Sequence, residues 1–266
     1  MTTDREWEKW GAQDPYFSVL THPKFRTGAL NEESRLEFFT LGRLHVGHVM
    51  AICRSHLDSG FAPQRVLDFG CGVGRVLVPL AAVAPEVVGV DIAPSMLAEA
   101  RRNCELNGVS NAQFVMSDDT LSAVSGDFDL VHTCIVIQHI EIARGLKLFE
   151  ALVKRIRPGG IGALHVTFAW DIYRGNHGVR PPPPLLAPWP AWLASTRRLL
   201  SRGMPLRRAS AAAPAPDADP EMQMNFYDLS QLMFIVQQAG CGMVHTELTD
   251  HGGAIGAFMF FKRNSQ

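Results

Sequence analysis

The sequence predicts an α/β protein with a doubly wound, seven-stranded, mainly parallel sheet whose last strand is antiparallel. Three observations carry this. From Arg65 onward, short Val/Ile/Leu-rich runs alternate with longer helix-forming stretches, the pattern of a parallel sheet covered by helices on both faces. The first run stops at a glycine-rich turn, "FGCGVGR", which leads into "VLVPLA" as strand, tight turn and helix start. The last two apolar runs are joined only through "TDHGG", which suits a hairpin rather than a crossover.

The expected strands are "RVLDF" (65–69), "EVVGV" (86–90), "AQFVM" (112–116), "FDLVHT" (128–133), "GALHVTF" (162–168), "MVHTEL" (243–248) and "GAFMFFKR" (256–263). Pro94 suits the first turn of a helix that runs through "SMLAEARRNCELNG" to a stop at Asn107-Gly108. "RPGG" (157–160) punctuates the chain before the fifth strand. A long helix is expected from about Asn31 to Leu57, with Phe38, Leu41 and His45 on one face. Four segments follow: an N-terminal helical lid (1–64), a core (65–168), a Pro/Ala-rich cap insertion (169–221), and a C-terminal helix with two strands completing the core (222–266).

The chain has 266 residues, enough for one sizeable core with decorations, and its 47% hydrophobic and 19% charged content is that of a soluble globular protein. A net charge of -1 supplies no global field for nucleic acid. The five cysteines are widely spaced with no C-x-x-C pair, the start is charged from Asp4 onward, and the most apolar stretch is broken by Pro79, Pro85 and Glu86. A cytoplasmic protein with no stable membrane association is expected.

The ligand is read from the turn outward. A dinucleotide site calls for G-x-G-x-x-G, whereas Gly70, Gly72 and Gly74 form G-x-G-x-G and Arg75 stands where the third glycine belongs. Asp68 before the turn gives nothing to a pyrophosphate but suits a cationic centre. Asp91, ending the second strand, can accept both hydroxyls of a ribose; Ile92 can pack on a purine, and Asp118 or Asp119 can accept from an adenine amine. The turn's backbone N-H groups and the helix start after it are expected to face the ligand. The set describes an adenosine with a positively charged far end.

On these residues the sequence resembles the class I S-adenosylmethionine-dependent methyltransferases, of Rossmann-like fold. "LDFGCGVG" resembles their first motif, "VVGVDIAPSML" the second, "FDLVHTCIVIQHI" the fourth, and "LVKRIRPGGIGALHV" the approach to the fifth strand. The resemblance covers about Arg65 to Phe168 and implies S-adenosyl-L-methionine as cofactor, leaving as S-adenosyl-L-homocysteine. It implies cofactor contacts from Asp68, Gly70, Cys71, Gly72, Gly74, Asp91, Ile92, Met96, Asp118, Asp119, Cys134 and Gln138.

The chemistry then implied is methyl transfer to O, N or S of a small molecule, in secondary metabolism by analogy. The absence of [DN]-P-P-[YF] after the fourth strand disfavours DNA adenine and protein glutamine as acceptors. His139 is the candidate acceptor contact or general base, the other reading being a histidine that orients its loop. Substrate-binding candidates are Tyr16, Phe17 and Phe39 of the lid, His165, and Asn225 and Tyr227 of "MQMNFYDL". Tyr16 and Phe17, with Trp7 and Trp10, either close the acceptor pocket or cover a sheet edge. His165 is also readable as a satisfied core histidine, and Asn225 or Asp228 as a helix cap. His45 and His48 lack a matching carboxylate or cysteine motif, so no metal is expected. The arginines at 197, 198, 202, 207 and 208 form the one basic cluster, readable as a surface for an anionic partner or as the solvated side of a cap. Two other functions stay open: a non-catalytic S-adenosylmethionine-binding regulator and a dinucleotide oxidoreductase.

Overall fold

The computed structural model describes residues 2–116, 118–181 and 219–265. Seven strands form one sheet in the order β3-β2-β1-β4-β5-β7-β6. They are β1 (Arg65–Phe69), β2 (Glu86–Asp91), β3 (Ala112–Met116), β4 (Phe128–Thr133), β5 (Ile156–Trp170), β6 (Cys241–His251) and β7 (Ala254–Arg263). β1 to β5 are parallel, and β7 is antiparallel to both β5 and β6, as the sequence predicted. All six residues of β4 are buried, because helices cover both faces of the sheet there.

The helices are α1 (Thr2–Gln13), α2 (Pro15–Val19), α3 (Glu32–Ile52), α4 (Leu77–Leu80), α5 (Pro94–Leu106), α6 (Ile142–Lys154) and α7 (Leu229–Gln238). Their ends have local causes. Asn31 and Ser34 form a reciprocal capping box at α3, Glu141 accepts from the backbone N-H of Ala143 and Arg144 at α6, and Asp228 caps α7. Pro94 starts α5, and Gly108, at φ +68, follows its end.

Three expectations need correction. β5 begins at Ile156, so "RPGG" lies inside the strand: a register shift against β4, with Gly159 at φ +78, absorbs the irregularity that reads as a stop. The long helix ends at Ile52 and passes into a wider π-helical turn, Cys53–Leu57, while Leu41 is 37% exposed, since it lies ~60° around the helix from Phe38. The helix after the glycine turn is only four residues long. The connection between β6 and β7 is also tighter than expected, just Gly252-Gly253 at φ +70 and +94.

One core layer packs Phe149, Leu152, Tyr227 and Leu232 against one sheet face; the other packs Val49, Met50, Leu77 and Leu80 against the opposite face. A third cluster belongs to the N-terminal segment: Trp10, Tyr16, Phe17, Phe25, Phe38 and Phe39 pack with Val73, Ala93 and Met96. It fastens the N-terminal segment directly to the first two βα turns. Residues 182–218, including the arginines 197–208 and most of the proline tracts, lie outside the described residues.

Candidate functional site

A cavity of about 1040 Å³, its mouth included, opens at the carboxyl ends of β1, β2 and β4, where the strand order reverses between β1 and β4. Of the predicted cofactor residues, Asp68, Gly70, Cys71, Gly72, Asp91, Ile92, Met96, Asp118, Asp119 and Cys134 line it; Gly74 and Gln138 do not. His139 lines it as well.

The glycine turn explains what this cavity accepts. Gly70, Gly72 and Gly74 have φ of +71, +51 and +87, and a Cβ on Gly70 would lie 2.3 Å from a Val136 methyl. The turn's amides, however, are consumed internally. The N-H groups of Gly70 and Cys71 both donate to the Val90 carbonyl, Gly74 donates to Cys71, and Gly72 donates to Asp91 Oδ2 at 2.9 Å. The expectation that these donors face a ligand is therefore corrected. With four of its amides spent and only one helical turn behind it, the loop is poorly suited to cradle a phosphate.

Asp91 is oriented by the Gly72 N-H at 2.9 Å on Oδ2 and the Ala93 N-H at 3.0 Å on Oδ1, with a further backbone donor in Ile92. Burial raises its pKa, opposed by these backbone donors. Asp118 spends its oxygens on the 118–122 turn, bonding Thr120 and Ser122. Asp119 binds Arg144 Nε at 2.5 Å, and Arg144 Nη1 reaches Asp4 on α1 at 2.7 Å, so α1 is tied across the cavity. Glu8 on the same helix bonds the Ser95 backbone N-H and hydroxyl at the start of α5.

After β4 the chain turns into the cavity through Cys134 and Ile135. Burial pushes the Cys134 thiol up to about 11, with Arg75 acting in the opposite sense. Ile135 sits at φ +59, a strained conformation for a β-branched residue, at the cavity wall. His139 is 6% exposed; its Nδ1 donates to the Gln223 carbonyl at 2.7 Å, and the Trp7 ring meets it edge-on at 5.0 Å. The neutral ring consequently carries its lone pair on Nε2. Burial lowers its pKa, the Gln223 bond partly offsetting this.

The substrate-binding candidates fall outside the cavity lining. Tyr16 is buried, its hydroxyl 2.7 Å from Glu99 Oε1 and 2.9 Å from Asn103 Oδ1, and the Asn103 amide donates to the Val73 carbonyl. Phe17 and Phe39 are members of the lid core. His165 bonds Thr249 at 2.8 Å on the far side of β5, and burial pushes it down to about 3. Asn225 and Tyr227 stand behind His139: Asn225 donates its backbone N-H to the Gln138 carbonyl, and the Tyr227 hydroxyl lies 3.0 and 2.7 Å from the Ile137 and Ile140 carbonyls. Gly145 makes this possible, since a Cβ there would fall 1.9 Å from that hydroxyl.

Residues the sequence did not single out for the site include Arg75, His132, Ile135 and Arg144, all on the cavity wall. His132 Nδ1 donates to Asp68 Oδ1 at 2.7 Å, and its Nε2 lies 2.8 Å from His45 Nε2. Nothing marks His132 in a strand that is buried on both faces. Among the described residues there is no metal-binding cluster.

A partly buried carboxylate, Asp91, at the switch point of a doubly wound sheet, beside a glycine turn poorly suited to phosphate, fits a nucleoside-binding α/β protein. Residues 66–160 match the family described as "Methyltransferase domain". Over these residues the chain carries a methyltransferase domain. It is 36% identical over 98 residues to the ubiquinone biosynthesis O-methyltransferase of Methylocella silvestris, covering 36% of this chain and 37% of that one. It is 33% identical over 151 residues to an uncharacterized methyltransferase of Synechocystis sp., covering 56% and 65%. A 23S rRNA (uracil(1939)-C(5))-methyltransferase of Shewanella amazonensis shares 47% over 57 residues, 21% of this chain and 13% of that one. The matched region thus spans less than two thirds of the length of each of these relatives. In fold, the chain is similar to the magnesium protoporphyrin IX methyltransferase of Synechocystis PCC 6803 (TM-score 0.60, 16% identity, 98% of this chain and 100% of that one). It is also similar to the N-methyltransferase NodS of Bradyrhizobium japonicum WM9 (TM-score 0.55, 15% identity, 99% of each). No helix among the described residues is long and apolar enough to cross a membrane.

Proposed function

We propose that this chain methylates an oxygen, nitrogen or sulfur atom of a small-molecule acceptor, with His139 as the group that receives the acceptor's proton. The observation that carries the reading is the placement of His139 Nε2, with its tautomer fixed by Gln223, in the same cavity as Asp91 and Asp68. S-adenosylmethionine supplies, when bound, a methyl group on a positively charged sulfur, and the donor set fits it: Asp91 for the ribose, Ile92 for the purine, Asp68 toward the cationic end. With the cofactor held there, the acceptor atom would bond to the methyl carbon and the carbon–sulfur electron pair would stay on sulfur. His139 takes the proton at Nε2 where the acceptor is O-H, N-H or S-H. Trp7, Val136 and Ile140 keep water away and hold the acceptor in line.

A small acceptor is supported by the lid, with α1 latched over the cavity through Asp4 and Glu8. The likeness to a ubiquinone biosynthesis O-methyltransferase points the same way. The net charge of -1 gives no pull toward a polyanion such as RNA. In this reading residues 1–64 act as the lid, and the segment from 222 onward braces the His139 loop. The test is calorimetric titration with S-adenosylmethionine, S-adenosylhomocysteine, NAD and NADP, on the native chain and on Asp91→Ala. Binding of the sulfur nucleosides that weakens on the order of a hundredfold in Asp91→Ala supports the reading. Binding of a dinucleotide alone overturns it. Release of S-adenosylhomocysteine against a panel of acceptors then identifies the substrate.

A further inference from the structure

β6 closes one end of the sheet, paired with β7 on its inner side and, among the described residues, with no strand on its outer side. An eleven-residue edge presents a row of open backbone N-H and C=O groups, a template for another strand, and such edges are ordinarily guarded by short length, lysine, proline or a bulge. The opposite edge, β3, is only five residues long. β6 contains no lysine, arginine or proline, and its one register shift, between Cys241 and Met243, falls at its end.

The side chains along this edge suit contact on both faces. On the face shared with Ala257 and Phe261, Val244 and Leu248 are exposed, Leu248 by 74%. His245 and Glu247 alternate with them on the other face, beside α3. Glu247 meets His48 of α3 through Oε2 at 2.6 Å, which leaves its Oε1 3.9 Å from His245 Nε2. Leu44, one turn before His48, is a further exposed apolar group on that side.

A second copy of the chain is the occupant this edge fits. About a two-fold axis normal to the sheet, every side chain stays on its own face, and residue i meets j as j meets i. Centred on Thr246, antiparallel pairing sets His245 opposite the partner's Glu247 and Val244 opposite the partner's Leu248, and each match is made twice. Shifting the axis by one residue sets His245 against His245 or Glu247 against Glu247 and loses both matches. Charge and apolar complementarity thus select one register.

We propose that the chain forms a homodimer in which β6 pairs antiparallel with β6 of a second copy about Thr246, joining the two seven-stranded sheets into one. β5 and β7 lie between β6 and the strands that carry the cavity, so both cavities stay open in the pair.

Sedimentation equilibrium tests this first: the native chain is expected to be a dimer at about 10 µM. Leu248→Lys, which puts a charge on the apolar match, and His245→Glu, which sets carboxylate against carboxylate, should each weaken the dimer roughly tenfold or more. The exchanged pair H245E/E247H restores the match and should recover dimer formation, with circular dichroism and unfolding temperature confirming that each variant is folded. Thr246→Cys reads the register, since opposed Cβ atoms lie about 5 Å apart and a short bis-maleimide should join the two copies there. Met243→Cys, whose copies lie about 20 Å apart in this register, should stay unlinked, as should the native chain, whose cysteines are buried or half-buried. A native chain that is monomeric at about 100 µM overturns the proposal and leaves the edge to a strand of a different protein. A dimer that survives both Leu248→Lys and His245→Glu, or that links through Met243→Cys but not Thr246→Cys, uses another surface or register and overturns it as well.

Discussion

His139 and Gln223, 84 residues apart in the chain, meet at 2.7 Å, ring Nδ1 against main-chain carbonyl. The contact fixes which nitrogen of His139 is basic. Because the partner is a backbone atom, the arrangement depends on the path of the 222–227 segment rather than on the Gln223 side chain.

From this, His139→Ala should lower kcat on the order of a hundredfold or more while leaving S-adenosylhomocysteine binding close to native. Burial holds the imidazole pKa below its ordinary value, so the base stays neutral as pH falls through about 6.5. The kcat/KM profile should therefore remain level there and decline only in more acidic buffer. A decline centred at or above the ordinary histidine value would count against His139 as the base.

Gly145 gives a prediction at a distance. Gly145→Ala places a methyl group 1.9 Å from the Tyr227 hydroxyl and must displace it from the Ile137 and Ile140 carbonyls. Since Gly145 does not line the cavity, cofactor affinity should stay within about threefold while kcat falls roughly tenfold or more, as expected when a positioned base shifts. Turnover and calorimetry on the same preparation separate the two effects.

Stability should depend on pH through the buried histidines. Burial holds His45 down to about 2 and His165 down to about 3, whereas the unfolded chain protonates both near about 6.5. Between those limits the unfolded state binds more protons, so stability is present above about pH 6.5 and is lost as pH falls, by up to about 1.4 kcal/mol per pH unit for each histidine. Urea midpoints measured across this range should fall on acidification, and His165→Phe should flatten the dependence. A midpoint independent of pH down to about 5 would show that neither histidine is held neutral.

The sheet was legible because strand runs and glycine punctuation are local signals. β1, β3 and β4 have the predicted limits, and the antiparallel β7 follows from a connection too short to cross over. β5 was cut short because "RPGG" reads as a stop, while its register shift with β4 can only be seen in pairing. The acidic half of the cavity was legible through Asp68, next to last in β1, and Asp91, the last residue of β2. What escaped was everything decided by side-chain direction within doubly covered strands and by the lid. His132 and His165 look alike in sequence and both lie against Phe258 on one sheet face, yet only the strand that carries His132 brings its ring to the cavity, while His165 meets Thr249. Tyr16, Phe17 and Phe39 are as aromatic as Trp7, but only Trp7 reaches His139. The strain at Ile135 has no sequence signature at all.

The lid helix α1 touches both ends of the cavity, Glu8 at the start of α5 and Trp7 on His139. In the proposed reading of α1 as a lid, a single displacement would open the nucleoside and acceptor ends together, and turnover limited by that step is expected to run at one speed for acceptors of very different nucleophilicity.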